Sequence, residues 1–184
     1  AYKPNSPYSA SKAASDHLTR CYFETFGLPT IVTNCSNNYG PHQNAEKFIP
    51  TILNSLFNGL KIPVYGDGQQ IRDWLFVEDH CDALICVLDK GLPGESYNIG
   101  GNCELTNLEL IKLIFDELQR SKPEVMVNSL DGYISFVEDR LGHDRRYSID
   151  ANKIQAQLGW GPSHCFSEGI AKTITWYFQN LYSD

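Results

Sequence analysis

Tyr8 and Lys12 are the residues whose types and spacing first suggest chemistry. Residues four apart lie on the same face of an α-helix, so the phenol and the ammonium can project into a common space. A phenol with its ordinary pKa of about 10 is a poor base at neutral pH, but a fixed neighbouring cation stabilises the phenolate. Such a pair can move a proton on a sugar or alcohol hydroxyl. The spacing alone is weak, because Tyr-x-x-x-Lys also occurs as a solvent-exposed helical pair.

A long helix is expected to carry this pair. Ser6 is a good N-cap, and Pro7 suits the first helical position, where its missing N–H costs nothing. Gly27, followed by Pro29, ends the helix. The sequence therefore predicts a helix over residues 7–26 with the tyrosine and the lysine in its first turns.

Strand and helix patterns alternate along the rest of the chain. A β-branched run at 30–35 predicts a buried parallel strand, the residues 37–43 a turn-rich loop, and those from about 48 to 57 a helix. Two short strands are expected around the turn at 66–68, then a helix that ends at Gly91 and a strand that begins at Ser96. The alternation predicts an α/β architecture with at least some parallel pairing.

The clearest helix start is a capping box at Thr106-Asn107-Leu108-Glu109, which opens a helix with an apolar face. A strand is expected at 134–138, a helix capped by Asp150 that ends at Gly159, and a last helix over about 166–181. A glycine-rich turn between a strand and a helix, which would let a pyrophosphate approach the backbone, is not evident. Gly100-Gly101 comes nearest, but a loop follows it.

Length and composition predict one soluble domain of 184 residues. The net charge of -7 gives no basic footprint for nucleic acid. We expect a cytoplasmic protein without membrane contact, because no apolar run approaches the ~20 residues that cross a bilayer and no signal-like segment opens the chain. Neither the six cysteines nor the five histidines have metal-ligand spacing, so no metal site is predicted.

Five longer stretches occur in one order along the chain: PYSASKAASDHL, NCSNNYGPHQNAEKFIP, PVYGDGQQIRDWLFVEDHCDAL, SYNIGG and DRLGHDRRYSIDANKIQAQLGW. Together they resemble the C-terminal part of the extended short-chain dehydrogenase/reductases, most closely those that dehydrate a nucleotide-diphospho-glucose such as dTDP-glucose. The resemblance implies the C-terminal portion of a doubly wound, Rossmann-type parallel sheet plus a small α/β substrate-binding lobe. We expect residues 1–184 to form one unit.

The resemblance also implies roles for individual residues. Tyr8 would take the proton from the sugar 4-hydroxyl as hydride passes to NAD, and Lys12 would hold the nicotinamide ribose. Cys35 and Asn38 match positions that line the nicotinamide. The positions that match those around the nucleotide and pyrophosphate of the sugar donor are Asn37, Lys47, Phe48, Tyr65, Arg72, Asn107, Arg140 and His143. Family enzymes then eliminate water across C5 and C6 and return the hydride to C6. A homodimer is implied, because the family buries the helix of residues 7–26 in a dimer interface.

Two family features are not found in this sequence: the glycine-rich NAD fingerprint, and the Asp-Glu pair after a threonine that serves dehydratases in water elimination. Both precede the Tyr-x-x-x-Lys helix in the family, whereas this sequence starts at Ala1, a few residues before that helix. We expect the chain to be part of a longer protein. By itself it is expected to be inactive and to bind NAD poorly.

Alternatives remain open on the sequence alone. The chain could come from a nucleotide-sugar epimerase or decarboxylase of the same superfamily, or be a non-catalytic nucleotide-sugar-binding remnant. At the level of residues, Arg72 could pair with the adjacent Asp73, and Phe48 could belong to the core.

Overall fold

A computed structural model describes residues 3–125, 129–139 and 141–181 of the chain. The helices in these residues are α1 (Pro7–Phe26), α2 (Phe48–Phe57), α3 (Val77–Lys90), α4 (Asn107–Ser121), α5 (Leu130–Tyr133), α6 (Asn152–Leu158) and α7 (Phe166–Leu181). The strands are β1 (Val32–Cys35), β2 (Asn37–Tyr39), β3 (Ile62–Tyr65), β4 (Ile71–Phe76), β5 (Ser96–Ile99), β6 (Glu104–Thr106), β7 (Ile134–Val137) and β8 (Arg146–Tyr147). A short 3-10 turn covers Pro123–Val125.

Most strand pairs are parallel, which confirms the α/β prediction. β1 pairs with β5, and β3 pairs with β7, each in parallel. β4 lies between β2 and β6, parallel to the first and antiparallel to the second, and it also pairs in parallel with β8. Parallel strands require a crossover connection, and α3 supplies one on the path from β1 to β5.

One local prediction needs correction, and the partners of two predicted strands could not be predicted. The stretch at 37–43, expected to be a loop, begins with strand β2, because Asn37–Tyr39 pair with Trp74–Phe76 of β4. The strands β3 and β4 flank the 66–68 turn as predicted, yet they pair with β7 and with β2, β6 and β8. Each strand thus finds its partner far along the chain, which a local pattern does not encode.

The helix that carries Tyr8 and Lys12 forms as predicted. The Ser6 hydroxyl accepts the N–H of Ser9 at 3.1 Å, and Gly27 ends α1 in the left-handed conformation with φ 67. In α1, all of which the structure describes, no residue is buried. The helix contacts the loop before β5 near its end, where a Cβ on Gly94 would collide with the ring of Phe23.

Two hydrophobic clusters form the interior. The larger one gathers residues of α2, α4, α7 and the strands β3 and β4. It includes the predicted apolar face of α4, namely Ile111, Ile114, Phe115 and Leu118. The smaller one joins α3 and α6 to β5. The parallel pair of β1 and β5 therefore lies beside the smaller cluster, and β4 links both clusters through Phe76 and Leu75.

The N-terminal caps of α4 and α6 form where the sequence predicts them, except that the N-cap of α6 lies one residue further on. The capping box of α4 is complete, since Thr106 Oγ1 accepts the N–H of Glu109 while the Glu109 carboxylate accepts the N–H of Thr106. For α6, the expected cap Asp150 accepts the N–H of Asn152 at 2.8 Å, but the N-cap position itself is Ala151. Gly159 ends this helix, as predicted.

Within the described ranges, no helix has the length and apolar character needed to span a membrane. The same ranges contain no group of three or more His, Cys, Asp or Glu side chains placed to hold a metal ion. All six cysteines lie in the described part of the chain and are free thiols.

Candidate active site

A cleft of about 880 Å³ opens between the start of α1, the strand β1 and the segment that leads into β8. Five of the residues singled out from the sequence line it: Tyr8, Lys12, Cys35, Arg72 and His143. They come from four separate regions of the chain. The fold thus brings the tyrosine and the lysine into one space with two residues of the predicted substrate site.

The elements explain how these side chains reach the cleft. Tyr8 and Lys12 occupy successive turns of α1, and the Tyr8 side chain is accessible, with the residue 74% exposed. Cys35 is the last residue of β1. In open α/β sheets ligands bind beyond the carboxyl ends of parallel strands, which is where this cysteine lies.

The lining carries more positive than negative groups. Lys3, Lys12 and Arg72 line the cleft together with Asp16 and Asp144, in a chain whose net charge is -7. An excess of cations in an otherwise acidic protein suits an anionic ligand, and a diphosphate is the ligand that the family resemblance implies here.

Arg72 is anchored by backbone groups. Its Nη1 donates to the carbonyl oxygen of Ile71 at 2.7 Å, and its Nη2 donates to that of Asp144 at 2.9 Å. The adjacent Asp73 is buried and accepts the backbone N–H groups of Gly101 and Cys103 at 2.9 and 2.7 Å. The aspartate therefore has a structural task at the loop after β5, while the arginine lines the cleft.

Asn38 lies behind Cys35. Its Nδ2 donates to Cys35 Sγ at 3.3 Å and to the carbonyl oxygen of Ser36 at 3.2 Å. Its Oδ1 is buried and has no hydrogen-bond partner. Asn38 is not among the described residues that line the cleft, so its role at the nicotinamide stays a prediction.

His143 enters the cleft from the segment before β8. Its Nδ1 lies 2.6 Å from Asp139 Oδ1. Asn107, at the start of α4, is not among the lining residues, but it donates to Gln70, which in turn donates to Asp139. Asn107 is thus connected to the cleft through side chains rather than by direct exposure to it.

The remaining predicted residues lie elsewhere. Asn37 begins β2, Tyr65 ends β3, and Lys47 is the exposed N-cap of α2, paired with Glu46 at 3.4 Å. Phe48 packs against the larger core, as the alternative interpretation held. None of these four lines the cleft within the described residues. Arg140 lies outside the described residues. The binding roles of these residues stay predictions.

Tyr147 lines the cleft and was missed by sequence reasoning. Burial raises the pKa of this phenol, and the nearby Cys35 and Tyr8 act in the same direction. Its signal in the sequence was only its place after Arg145 and Arg146 in the charged loop. The pairing of β8 with β4, which places it beside Arg72, could not be read from that signal.

A parallel sheet of α/β type with a tyrosine and a lysine four residues apart at a cleft beyond a strand end defines the class of extended short-chain dehydrogenase/reductases. The model of the GDP-mannose 4,6 dehydratase family matches residues 1–173. The chain belongs to this family, and its predicted resemblance to the nucleotide-sugar dehydratases is confirmed.

Individual relatives agree. The chain is 53% identical over 179 residues to a dTDP-glucose 4,6-dehydratase of Xanthomonas campestris, covering 97% of this chain and 51% of the relative. It is 56% identical over 182 residues to the enzyme of the same name from Escherichia coli, covering 97% and 50%. The chain therefore spans about half the length of the curated relatives it matches.

Solved structures give the same result. A dTDP-glucose 4,6-dehydratase of Bacillus anthracis in complex with NAD matches with a TM-score of 0.87 at 47% identity, over 98% of this chain and 54% of that one. The enzyme DesIV of Streptomyces venezuelae, with NAD and dTDP bound, matches with a TM-score of 0.90 at 44% identity, over 98% and 53%. A UDP-glucuronic acid 4-epimerase of Bacillus cereus, at 23% identity and a TM-score of 0.85, shares the fold.

Proposed function

We propose that the chain provides the proton-transfer pair and the nucleotide-sugar site of a NAD-dependent lyase that converts dTDP-glucose to the 4-keto-6-deoxy sugar. The observation that carries the proposal is the shared cleft of Tyr8, Lys12 and Arg72. The names of the relatives, dTDP-glucose 4,6-dehydratase, supply the substrate. The proposal takes residues 1–184 as one unit, and a cytoplasmic location goes with it.

In this mechanism the diphosphate lies on the Arg72 side of the cleft and the hexose extends towards α1. The guanidinium of Arg72 binds phosphate oxygens with charge-assisted hydrogen bonds. Tyr8, as the phenolate, accepts the proton of the sugar 4-hydroxyl, and the ammonium of Lys12 on the same helical face stabilises the charge. The chain thus binds, orients and deprotonates the sugar.

NAD fits the residues present at the carboxyl end of β1. Lys12 would hold the nicotinamide ribose, Cys35 would line the ring, and Asn38 would hold the Cys35 side chain from behind through its Nδ2. When bound, NAD supplies the hydride acceptor and donor for the oxidation at C4 and the later reduction at C6.

The glycine-rich fingerprint and the Asp-Glu pair that the family uses for NAD and for water elimination are not found in this sequence. The proposal therefore assigns turnover to an assembly that includes these parts. The 184 residues alone bind the nucleotide part of the sugar donor but do not form the product.

The outer face of α1 supports a homodimer as part of the proposal. Leu18 and Tyr22 are 60% and 51% exposed, and with Leu28 they line a shallow groove on the side of the helix. Exposed apolar surface of this kind is typical of an interface. Light scattering is expected to give a dimer mass for the wild-type chain and a monomer mass for Leu18→Asp, with Leu113→Asp on α4 as the control. A monomeric wild-type chain at high concentration would remove the dimer from the proposal.

Calorimetric titration tests the proposed function. The purified chain is titrated with dTDP, with UDP and with NAD, and assayed for 4-keto-6-deoxy sugar. We expect measurable dTDP binding, weaker UDP and NAD binding, and no product. A clear preference for UDP would favour the epimerase alternative. No binding of either nucleotide would contradict the proposal and leave a folded remnant.

A further inference from the structure

A chain of side-chain hydrogen bonds connects the start of α4 to the cleft. Asn107 Nδ2 donates to Gln70 Oε1 at 3.3 Å, and Gln70 Nε2 donates to Asp139 Oδ2 at 2.9 Å. The other carboxylate oxygen, Asp139 Oδ1, lies 2.6 Å from His143 Nδ1. Four side chains from three regions of the chain thus form one connected path that ends at a residue of the cleft wall.

The Asp139 carboxylate determines which group donates and which accepts in each hydrogen bond of this path. An ionised carboxylate only accepts hydrogen bonds, so both of its neighbours must donate. Gln70 therefore turns its NH2 group to Asp139 and its carbonyl oxygen to Asn107. By the same rule Nδ1 of His143 carries a proton, so Nε2 of the neutral imidazole is a hydrogen-bond acceptor.

The surroundings hold the path in place. Gln70 is only 2% exposed, so its amide depends on these partners. Its backbone is fixed to the next segment, because its carbonyl oxygen accepts the N–H of Asn107 at 3.1 Å. Gly66, with φ 59, leaves the necessary room, since a Cβ there would lie 2.9 Å from Asp139 Oδ2 and 3.1 Å from Gln70 Nε2. The N–H of Gly66 also binds the carbonyl oxygen of Val137 at 3.0 Å, which brings the turn against the end of β7.

We propose that Asp139 and Gln70 are positioning residues that set the tautomer and orientation of His143, so that its Nε2 accepts a hydrogen bond from a donor group of the nucleotide sugar, a hydroxyl or the base N–H, since phosphate oxygens only accept. Asp139 determines which ring nitrogen is protonated, and Gln70 holds the carboxylate that does so. A histidine held in this way presents one defined edge to the ligand without the entropy cost of ordering it on binding. The inference rests on the proposed nucleotide-sugar site and adds to it the residues that orient His143 from behind.

The amide variant Asp139→Asn gives a sharp test. It keeps the shape of the side chain, but an amide has one acceptor and one donor group, so its two neighbours no longer both need to donate. With the Gln70 and Asn107 amides in their present orientation, the path persists only if the new amide offers its oxygen to Gln70 and its NH2 group to His143 Nδ1. Nδ1 must then be an acceptor, so the proton moves to Nε2. Long-range ¹H–¹⁵N spectra of the imidazole groups report this directly, with His143→Gln used to assign the signals.

The expected results are as follows. In the wild-type chain at pH about 8, His143 carries its proton on Nδ1; in Asp139→Asn the proton is on Nε2. The Kd for dTDP rises about three- to tenfold in Asp139→Asn and about two- to fivefold in Gln70→Met, the range of one to two weakened hydrogen bonds. Asp116→Asn, which alters an exposed carboxylate paired with Lys112 on α4, leaves both measurements unchanged.

Each of the other outcomes contradicts one part of the proposal. A wild-type His143 with Nδ1 unprotonated, or an Asp139→Asn variant that keeps the proton there, overturns the control by Asp139. An unchanged Kd in folded Asp139→Asn or Gln70→Met overturns the positioning role of that residue. If the wild-type chain binds no dTDP, the proposed function fails, whereas the spectra still decide the tautomer of His143.

Discussion

Arg72 of β4 and Tyr147 of β8 are register partners in a parallel strand pair, and both line the cleft. This pairing joins the two sides of the site. The guanidinium belongs to the part where a diphosphate is expected, while the phenol is close enough to Tyr8 and Cys35 for both to raise its pKa in addition to the effect of burial. Tyr147 therefore lies between the side proposed for the phosphates and the side proposed for the sugar.

Replacement of Tyr147 by phenylalanine tests this location. The variant keeps the ring and loses one hydroxyl, so we expect the Kd for dTDP-glucose to rise about three- to tenfold, the value of one hydrogen bond. The Kd for dTDP, which lacks the hexose, is expected to stay within about twofold. Calorimetry with the two ligands measures the difference. Equal losses for both ligands would place Tyr147 at the phosphates instead of the sugar.

Arg72→Lys tests the diphosphate contact. Lysine keeps the charge but loses the planar fork that binds two oxygens, and it cannot reproduce the bonds to the Ile71 and Asp144 carbonyls. We expect dTDP to bind roughly 10- to 100-fold more weakly, from about 1.5–3 kcal/mol for a hydrogen bond to a charged group. Arg120→Lys, at an exposed pair with Glu117, is the matched control and should bind as the wild type does.

Two leucines of α4, one buried and one exposed, test the packing of the larger hydrophobic cluster. Leu110 is fully buried, while Leu113, one turn further on, is 42% exposed. Leu110→Ala leaves a cavity in the larger cluster and is expected to lower the free energy of unfolding by about 2–5 kcal/mol. Leu113→Ala should change it by less than about 0.5 kcal/mol. Urea denaturation gives both values, and similar losses in the two variants would contradict the assigned orientation of the helix.

The acid dependence of stability should include a contribution from Asp79. Burial alone would raise the pKa of this carboxyl, but hydrogen bonds from Ser163 and His164 outweigh it and the pKa is lowered. A lowered folded-state pKa stabilises the protein above the unfolded value of about 3.9, and this stabilisation is lost as the pH falls through the folded value. Unfolding measured from pH 7 down to about 3 should therefore lose less free energy in Asp79→Asn than in the wild type.

The control for that experiment is Asp82→Asn, which makes the same change of charge at an exposed position of α3. It should follow the wild-type acid dependence more closely than Asp79→Asn does. If the two variants gave the same curve, the hydrogen bonds around Asp79 would not contribute to the pH dependence.

Local signals in the sequence were enough for most elements. Ser6, Pro7 and Gly27 set the limits of α1, and the capping box at Thr106 and Glu109 set the start of α4, because these signals act within one helical turn. The strand pairings were not accessible in the same way. β2 and β8 are three and two residues long and exist through their pairing with β4, so their own residues carry little signal.

The residues of the candidate site fall into the same two groups, those found from a signal in the sequence and those that depend on contacts between distant segments. The spacing of Tyr8 and Lys12 suggested the pair, and the resemblance to a family supported it and supplied Cys35, Arg72 and His143. Tyr147 and the path through Gln70 and Asp139 depend on contacts between segments more than 60 residues apart in the sequence, such as the Gln70 to Asp139 bond. No pattern within one segment predicts such a bond.

A crystal structure of the chain with dTDP-glucose tests the central claim most directly. We predict the diphosphate against Arg72 and the hexose in the cleft, with its 4-hydroxyl within hydrogen-bond reach of the Tyr8 phenol. A nucleotide sugar bound outside this cleft, or with its hexose directed away from Tyr8, would contradict the assignment of the tyrosine as the proton acceptor.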